Sequence, residues 1–339
     1  MINPNARYDF ASDNTAGAAP EALEALVQAN TGYTSGYGTD AVSAQAADAL
    51  RALLDADADV RFVASGTAAN AIACAALCRP FESVLSHRHA HIQTDETGAP
   101  GFFGHGLGLI GLDGASGRID PALLASALDA PEASYRQSPA ALSLTNATEY
   151  GTVYTVQAVG ILTAQAKARG LPVHLDGARL ANASASGFDV KALKSLGINI
   201  LVMGGTKAGM PLSEAVVLFE PALSRRFDAR LKQAGQLPSK GRFLSAPWIG
   251  MLREDAWTTR AAHANAMASK LADLMPFPVA HPVEANGVFV AMSEPTLQRL
   301  RAMGWNVYRF TDGTVRFMCS WATTPEAVEE IGEALRQVT

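Results

Sequence analysis

Along the first two-thirds of the chain, short β-branched apolar runs alternate with longer stretches that are amphipathic or rich in alanine. The runs VRFVA (60–64), SVLS (83–86), LGLIGL (107–112), AALSLT (140–145), LPVHLD (171–176), INILVMGG (198–205) and EAVVLFE (214–220) predict strands. Segments 40–54, 67–78, 120–128, 155–169, 189–195 and 221–234 predict helices. Strands alternating with helices predict an α/β fold, a mostly parallel sheet covered on both faces. The link between 198–205 and 214–220 is too short for a helical crossover, so one of those two strands runs antiparallel.

After a helical region at about 247–275 the rhythm changes. GVFVAMS (287–293), WNVYRF (305–310) and TVRFMCS (314–320) predict strands, with helices at 294–303 and 325–337. This pattern predicts a small α+β domain with an antiparallel sheet. The chain therefore divides into a large domain, 1–245, and a small C-terminal domain, 246–339.

Composition narrows the function. With 339 residues, 48% of them apolar and 17% charged, the chain can bury a substantial core. The net charge of −5 comes without a block of like charges, and a nucleic-acid partner would need a concentrated basic face. No stretch approaches the roughly 20 apolar residues of a membrane span. The opening MINPNARYDFASDNTAG has no basic region followed by an apolar run, so no secretory leader is expected. Cys74 and Cys78, one helical turn apart on an Ala-rich segment, read as reduced and packed. The expectation is a cytoplasmic protein with neither a nucleic-acid nor a membrane partner.

Ligands of open α/β sheets sit beyond the carboxyl ends of the strands, and three segments place unusual residues there. In ASGTAAN, Ser65, Gly66 and Thr67 lie where a strand gives way to a helix. Such a spot is either a phosphate cup or an ordinary N-cap. In HLDGARLANA, Asp176 ends an apolar strand. It either pairs locally with Arg179 or faces a protonated ring nitrogen, leaving Arg179 to hold a carboxylate with its planar fork. In GGTKAGM, Lys207 follows an apolar strand and a Gly-Gly turn, where a desolvated amine becomes a nucleophile suited to Schiff-base chemistry. Phosphate cup, ring-facing carboxylate and buried lysine together are what pyridoxal phosphate needs. A fourth stretch, SHRHAHIQTDETGA (86–99), offers a rival reading. His87, His89 and His91 at alternate positions would share one face of a strand and suit a zinc hydrolase.

In these residues the chain resembles the low-specificity L-threonine aldolases, a family of fold-type-I pyridoxal-phosphate enzymes. The resemblance is carried by DFASDNTAG, SGYGTD, ASGTAAN, AHIQTDETGA, HLDGARLANA and GGTKAGM, in family order over about two-thirds of the chain. It implies a three-layer α/β/α large domain with a mixed, mostly parallel sheet. It implies Lys207 as the Schiff-base lysine, Asp176 on the pyridine nitrogen, and Ser65, Gly66 and Thr67 on the phosphate. His91 would stack on the cofactor ring, with Glu96 orienting a ring or a water. Arg179 and Arg316, helped by Ser12, would bind the substrate carboxylate. Tyr37, Lys240 and Arg242 would serve a neighbouring protomer of a homotetramer, a dimer of dimers. No metal is implied.

One position departs from the family. Many members carry a second histidine near the substrate hydroxyl, and here the aligned residue is Thr148, which cannot act as a general base near neutral pH. That role passes to His91, to a water held by Glu96 or Glu149, or to the cofactor phosphate. The expected reaction is cleavage of L-threonine, L-allo-threonine or a bulkier β-hydroxy-α-amino acid such as phenylserine to glycine and an aldehyde. A β-eliminating lyase or an aminotransferase would use the same Lys, Asp and Arg. The zinc reading leaves Lys207, Asp176 and the phosphate cup without a purpose.

Overall fold

Each of the seven apolar runs in the first part of the chain forms a strand in a computed structural model of the protein, which describes residues 6–339. They are β1 (Asp59–Val63), β2 (Glu82–His87), β3 (Gly108–Leu112), β4 (Ser138–Thr145), β5 (Val173–Gly177), β6 (Ile198–Gly204) and β7 (Glu214–Leu218). They build one sheet in the order β1-β7-β6-β5-β4-β2-β3. The antiparallel strand is β7, which runs against both β1 and β6. All five residues of β5 and of β7 are buried, as strands covered on both faces must be.

Alternation along the strands sends side chains to two cores. Ile200, Val202 and Val216 meet the helix Gly66–Leu77 on one face. Leu142, Leu175, Leu201 and Val217 pack on the other with Leu50, Leu162 and Trp248. The result is the three-layer α/β/α arrangement.

The helices follow the sequence less closely. Segment 221–234 splits into Pro221–Ser224 and Phe227–Gln233, because Arg226 between them adopts φ +64°. The region 247–275 starts earlier, as Arg242–Leu252, breaks where Glu254 and Asp255 take positive φ, and resumes as Ala256–Asp273. Segment 189–195 holds only a turn at Val190–Ala192, started by the Asp189 carboxylate accepting from Lys191 N.

A second sheet, β8 (Gly287–Val290), β9 (Tyr308–Arg309) and β10 (Val315–Met318), is antiparallel in the order β8-β10-β9. Phe10 packs in its core with Val288, Phe317 and Leu335. Phe10 O accepts from Met318 N at 2.9 Å and Arg7 O from Asn306 N at 2.8 Å. The start of the chain is thereby tied to the small unit although it precedes the large one, and it carries residues 11–15 into the space between them. The first five residues of the stretch read for a leader lie outside the described residues. No helix among the described residues is long and apolar enough to cross a membrane.

Candidate active site

The carboxyl ends of β5 and β6 meet at a place where side chains would collide. A Cβ on Gly204 would lie 2.2 Å from Ala178 O, and one on Gly205 would lie 2.4 Å from Ser213 O. Gly204 therefore lets the chain leaving β6 press against the chain leaving β5, Gly205 lets it press against the chain entering β7, and the next turn brings Lys207 to the cavity that Asp176 lines. That cavity, of about 290 Å³, is also lined by Ser65, Gly66, Thr67, His91 and Arg179. Burial lowers the Lys207 pKa, and the neighbouring Arg179 charge lowers it further.

Ser65 caps the helix Gly66–Leu77, its hydroxyl accepting from Ala68 N at 3.2 Å. A Cβ built on Gly66 meets nothing within 4 Å, so this helix start is open. Asp176 Oδ1 accepts from Ala178 N and Oδ2 from Asn70 Nδ2, both at 2.9 Å. The same Asn70 nitrogen donates to Glu96 Oε1 at 2.9 Å, and that oxygen lies 2.8 Å from His91 Nδ1. A chain of polar contacts thus runs from the imidazole to Asp176. The hydrogen bond to Glu96 raises the His91 pKa against the effect of burial, while burial raises that of Glu96. Two further carboxylates line the cavity. Glu149 accepts from His91 N at 2.9 Å and Glu214 from Gly205 N at 2.8 Å; burial lifts the pKa of each to about 7.

Arg179 does not pair with Asp176. Its guanidinium grips Asp13, Nε to Oδ2 at 2.6 Å and Nη2 to Oδ1 at 3.0 Å. Burial alone would raise the Asp13 pKa, yet the Arg179 charge and hydrogen bonds bring it down to about 2. Asn286 Nδ2 also donates to Asp13 Oδ2 at 3.1 Å. Arg316, on β10, is buried with its guanidinium 4.5 Å from the centre of the Tyr308 ring. Its Nη2 donates to Ala11 O at 3.4 Å, and its Nε has no partner. Burial, with Arg179 close by, lowers its pKa to about 10. Arg179 has a carboxylate partner in Asp13, whereas Arg316 has none among the described residues, so a carboxylate ligand would give the buried Arg316 guanidinium the partner it lacks. Ser12, beside Asp13, accepts from Asn14 N through its hydroxyl.

This donor set fits pyridoxal phosphate. A buried amine, a carboxylate within the same cavity, an open helix start flanked by hydroxyls, and an imidazole are all present, and the Arg316 guanidinium without a carboxylate partner suits an amino-acid carboxylate. The beta-eliminating lyase family model matches residues 9–295. A low-specificity L-threonine aldolase of Pseudomonas aeruginosa is 44% identical over 336 residues, 97% of each chain. The chain belongs to the low-specificity L-threonine aldolase family. Among solved structures, the Leishmania major threonine aldolase superposes with a TM-score of 0.92 at 31% identity, covering 98% of this chain and 100% of its own. A serine palmitoyltransferase of S. paucimobilis, TM-score 0.69 at 17% identity over 98% of this chain and 86% of its own, shares the fold alone.

Some residues singled out in the sequence lie elsewhere. The Thr148 hydroxyl is spent inside a turn, sharing a hydrogen bond with Thr152 Oγ1 at 2.8 Å and accepting from Tyr150 N and Thr152 N. It does not line the cavity. Tyr37 lines a separate cavity of about 360 Å³, and its N–H donates to Ser239 O beside Lys240. Arg242 donates to Thr31 O on the same side of the molecule. The three histidines do not share a strand face, because β2 ends at His87, His89 sits in a turn and His91 opens the helix His91–Thr94. His87 Nε2 lies 3.1 Å from Gly114 O, His89 Nδ1 contacts the Tyr150 hydroxyl, and His91 Nδ1 is held by Glu96. Their nitrogens diverge to three partners, which removes the basis for the zinc reading. Asp13, Asn70 and Glu214 belong to the site without having been singled out. Asp13 and Asn70 fall inside quoted motifs, DFASDNTAG and ASGTAAN, but nothing in either motif marked them out: Asp13 is one of two aspartates in its motif.

Proposed function

We propose that the protein is a pyridoxal-phosphate-dependent aldolase that cleaves L-threonine, L-allo-threonine and related β-hydroxy-α-amino acids to glycine and an aldehyde. The observation that carries this reading is the convergence of Lys207 and Asp176 on one cavity in a chain 44% identical to a low-specificity L-threonine aldolase. Bound there, the cofactor supplies a sink for the electron pair left on Cα when the Cα–Cβ bond breaks. Lys207 would hold the cofactor through its amine. Asp176, held by Asn70 and Ala178 N, would keep the pyridine nitrogen protonated. Ser65, Gly66 and Thr67 would bind the phosphate, and His91, steadied by Glu96, would face the ring. Arg316 and Arg179, with Ser12, fix the substrate carboxylate and so set which Cα bond lines up with the ring.

The exposed aromatic residues Tyr33 and Tyr37 and the nearby Lys240 and Arg242 support a homotetramer in which this surface completes a neighbour's site. The aromatic side chains around Arg316, Tyr308 and Phe310, favour phenylserine among the bulkier substrates. Three buried, unpaired cysteines agree with a reducing, cytoplasmic location. Product analysis of the cofactor-loaded enzyme tests the reaction. Equal amounts of glycine and aldehyde from L-threonine and from phenylserine are expected. Ammonia and an oxo-acid, or turnover that needs an oxo-acid acceptor, would instead mark a β-eliminating lyase or an aminotransferase.

A further inference from the structure

On the retro-aldol reading, cleavage of a β-hydroxy-α-amino acid needs a group that takes the hydroxyl proton, a role the sequence leaves open among His91, a water held by Glu96 or Glu149, and the cofactor phosphate. We propose that Glu149 is that general base. It lines the cavity that holds Lys207 and Asp176, four residues past the end of β4. Its Oε1 accepts from His91 N at 2.9 Å, which anchors the carboxylate beside the imidazole. Its Oε2 is shielded from solvent and has no partner in hydrogen-bond geometry, although the Thr145 hydroxyl on the same cavity wall lies near the carboxylate and lowers its pKa slightly against burial. A buried carboxylate oxygen left without a donor is costly, and a substrate hydroxyl is a donor that would relieve the cost.

Glu96 also has a buried Oε2 without a partner but does not line the cavity, and the remaining candidates are engaged. Asp176 uses both oxygens on Asn70 and Ala178 N. Thr148 is locked in its turn. His91 Nδ1 is taken up by the contact with Glu96. Glu214 is tied to Gly205 N, in the turn that carries Lys207. Burial, then the charge of Asp176, places the Glu149 pKa at about 7, where a carboxylate both accepts and releases a proton near neutrality. The charged and titratable groups around it are Asp176 and Arg179 from the β5 end, His91 from its helix, Lys207 from the β6 turn, and Tyr150 and Tyr154 along its own chain.

In the step, Glu149 takes the hydroxyl proton and the O–H pair becomes the π bond of the departing aldehyde. The Cα–Cβ bond breaks with its pair left on Cα, the charge that a bound cofactor would take up. Cα then gains one proton and Glu149 releases one, so the balance closes on glycine plus aldehyde.

The test is Glu149→Gln in the cofactor-loaded enzyme, which keeps the acceptor for His91 N. Cleavage of L-threonine should fall by about 10²-fold or more. The acid limb of the pH–rate profile near neutrality should vanish with it. Cofactor absorbance and exchange of the glycine α-proton with deuterated water, which need no hydroxyl base, should stay near wild type. Cleavage at the wild-type rate with an unchanged pH profile would overturn the proposal, and so would exchange lost in parallel with cleavage. A wild-type enzyme that exchanges the glycine proton but cleaves no β-hydroxy amino acid would instead sink the retro-aldol reading itself.

Discussion

Asp13→Asn is the perturbation with the most to say about how the site is held. Asp13 and Arg179 are both buried, their side chains 1% and 11% exposed, and they meet through two hydrogen bonds. A carboxylate moved from its usual 3.8 to about 2 contributes about 2 kcal/mol of stability at neutral pH. Independently, removing one partner of a buried ion pair strands the other and costs about 3–5 kcal/mol. Because asparagine keeps one acceptor for the guanidinium, we expect a loss of about 2–4 kcal/mol in urea unfolding of the apo-protein at pH 7. The pH dependence has a definite sign. The folded pKa is depressed, so the contribution is complete above about 4 and disappears as the pH falls through about 2. The stability difference between wild type and variant should therefore shrink across that window. The same variant releases the Arg179 fork, and the KM for L-threonine should rise. A variant within about 0.5 kcal/mol of wild type, the range of an ordinary surface substitution, with an unchanged KM would refute the ion pair as the element that positions Arg179.

Three other substitutions probe the register of the histidine segment and the carboxylate-binding arginine. His91→Ala should weaken cofactor binding in equilibrium titration and slow turnover, while His87→Ala, whose ring contacts only Gly114 O and the nearby turn, should change both far less; equal damage from the two would contradict the assigned register. Arg316→Lys should raise the KM for L-threonine about tenfold to a hundredfold, with a smaller change in kcat, since a point charge replaces a planar two-point donor.

The frame of the site was legible in the sequence because strand ends are. Apolar runs fix β5 and β6, and Asp176 and Lys207 stand out as charges where such runs stop. The partner of Arg179 was not legible. Sequence proximity suggested Asp176, whereas the ion pair joins residues 166 positions apart through a segment that packs on the small unit. Thr148 marked the right turn but the wrong atom: its hydroxyl satisfies the turn, and the adjoining Glu149 lines the cavity. The histidine trio failed because period-two reasoning holds only while the strand lasts, and β2 ends at the first of the three. The helix breaks at Arg226, Glu254 and Asp255 were hidden for a similar reason, since positive φ at residues other than glycine leaves little trace in composition.

The central claim is that Lys207 arms this cavity for carbon–carbon cleavage. Its most direct test compares wild type with Lys207→Ala, both supplied with pyridoxal phosphate and L-threonine, by counting glycine and acetaldehyde formed. Wild type should yield one aldehyde per glycine, and the variant only the rate of the cofactor free in solution. Undiminished cleavage by Lys207→Ala, or glycine formed without aldehyde by wild type, would contradict it.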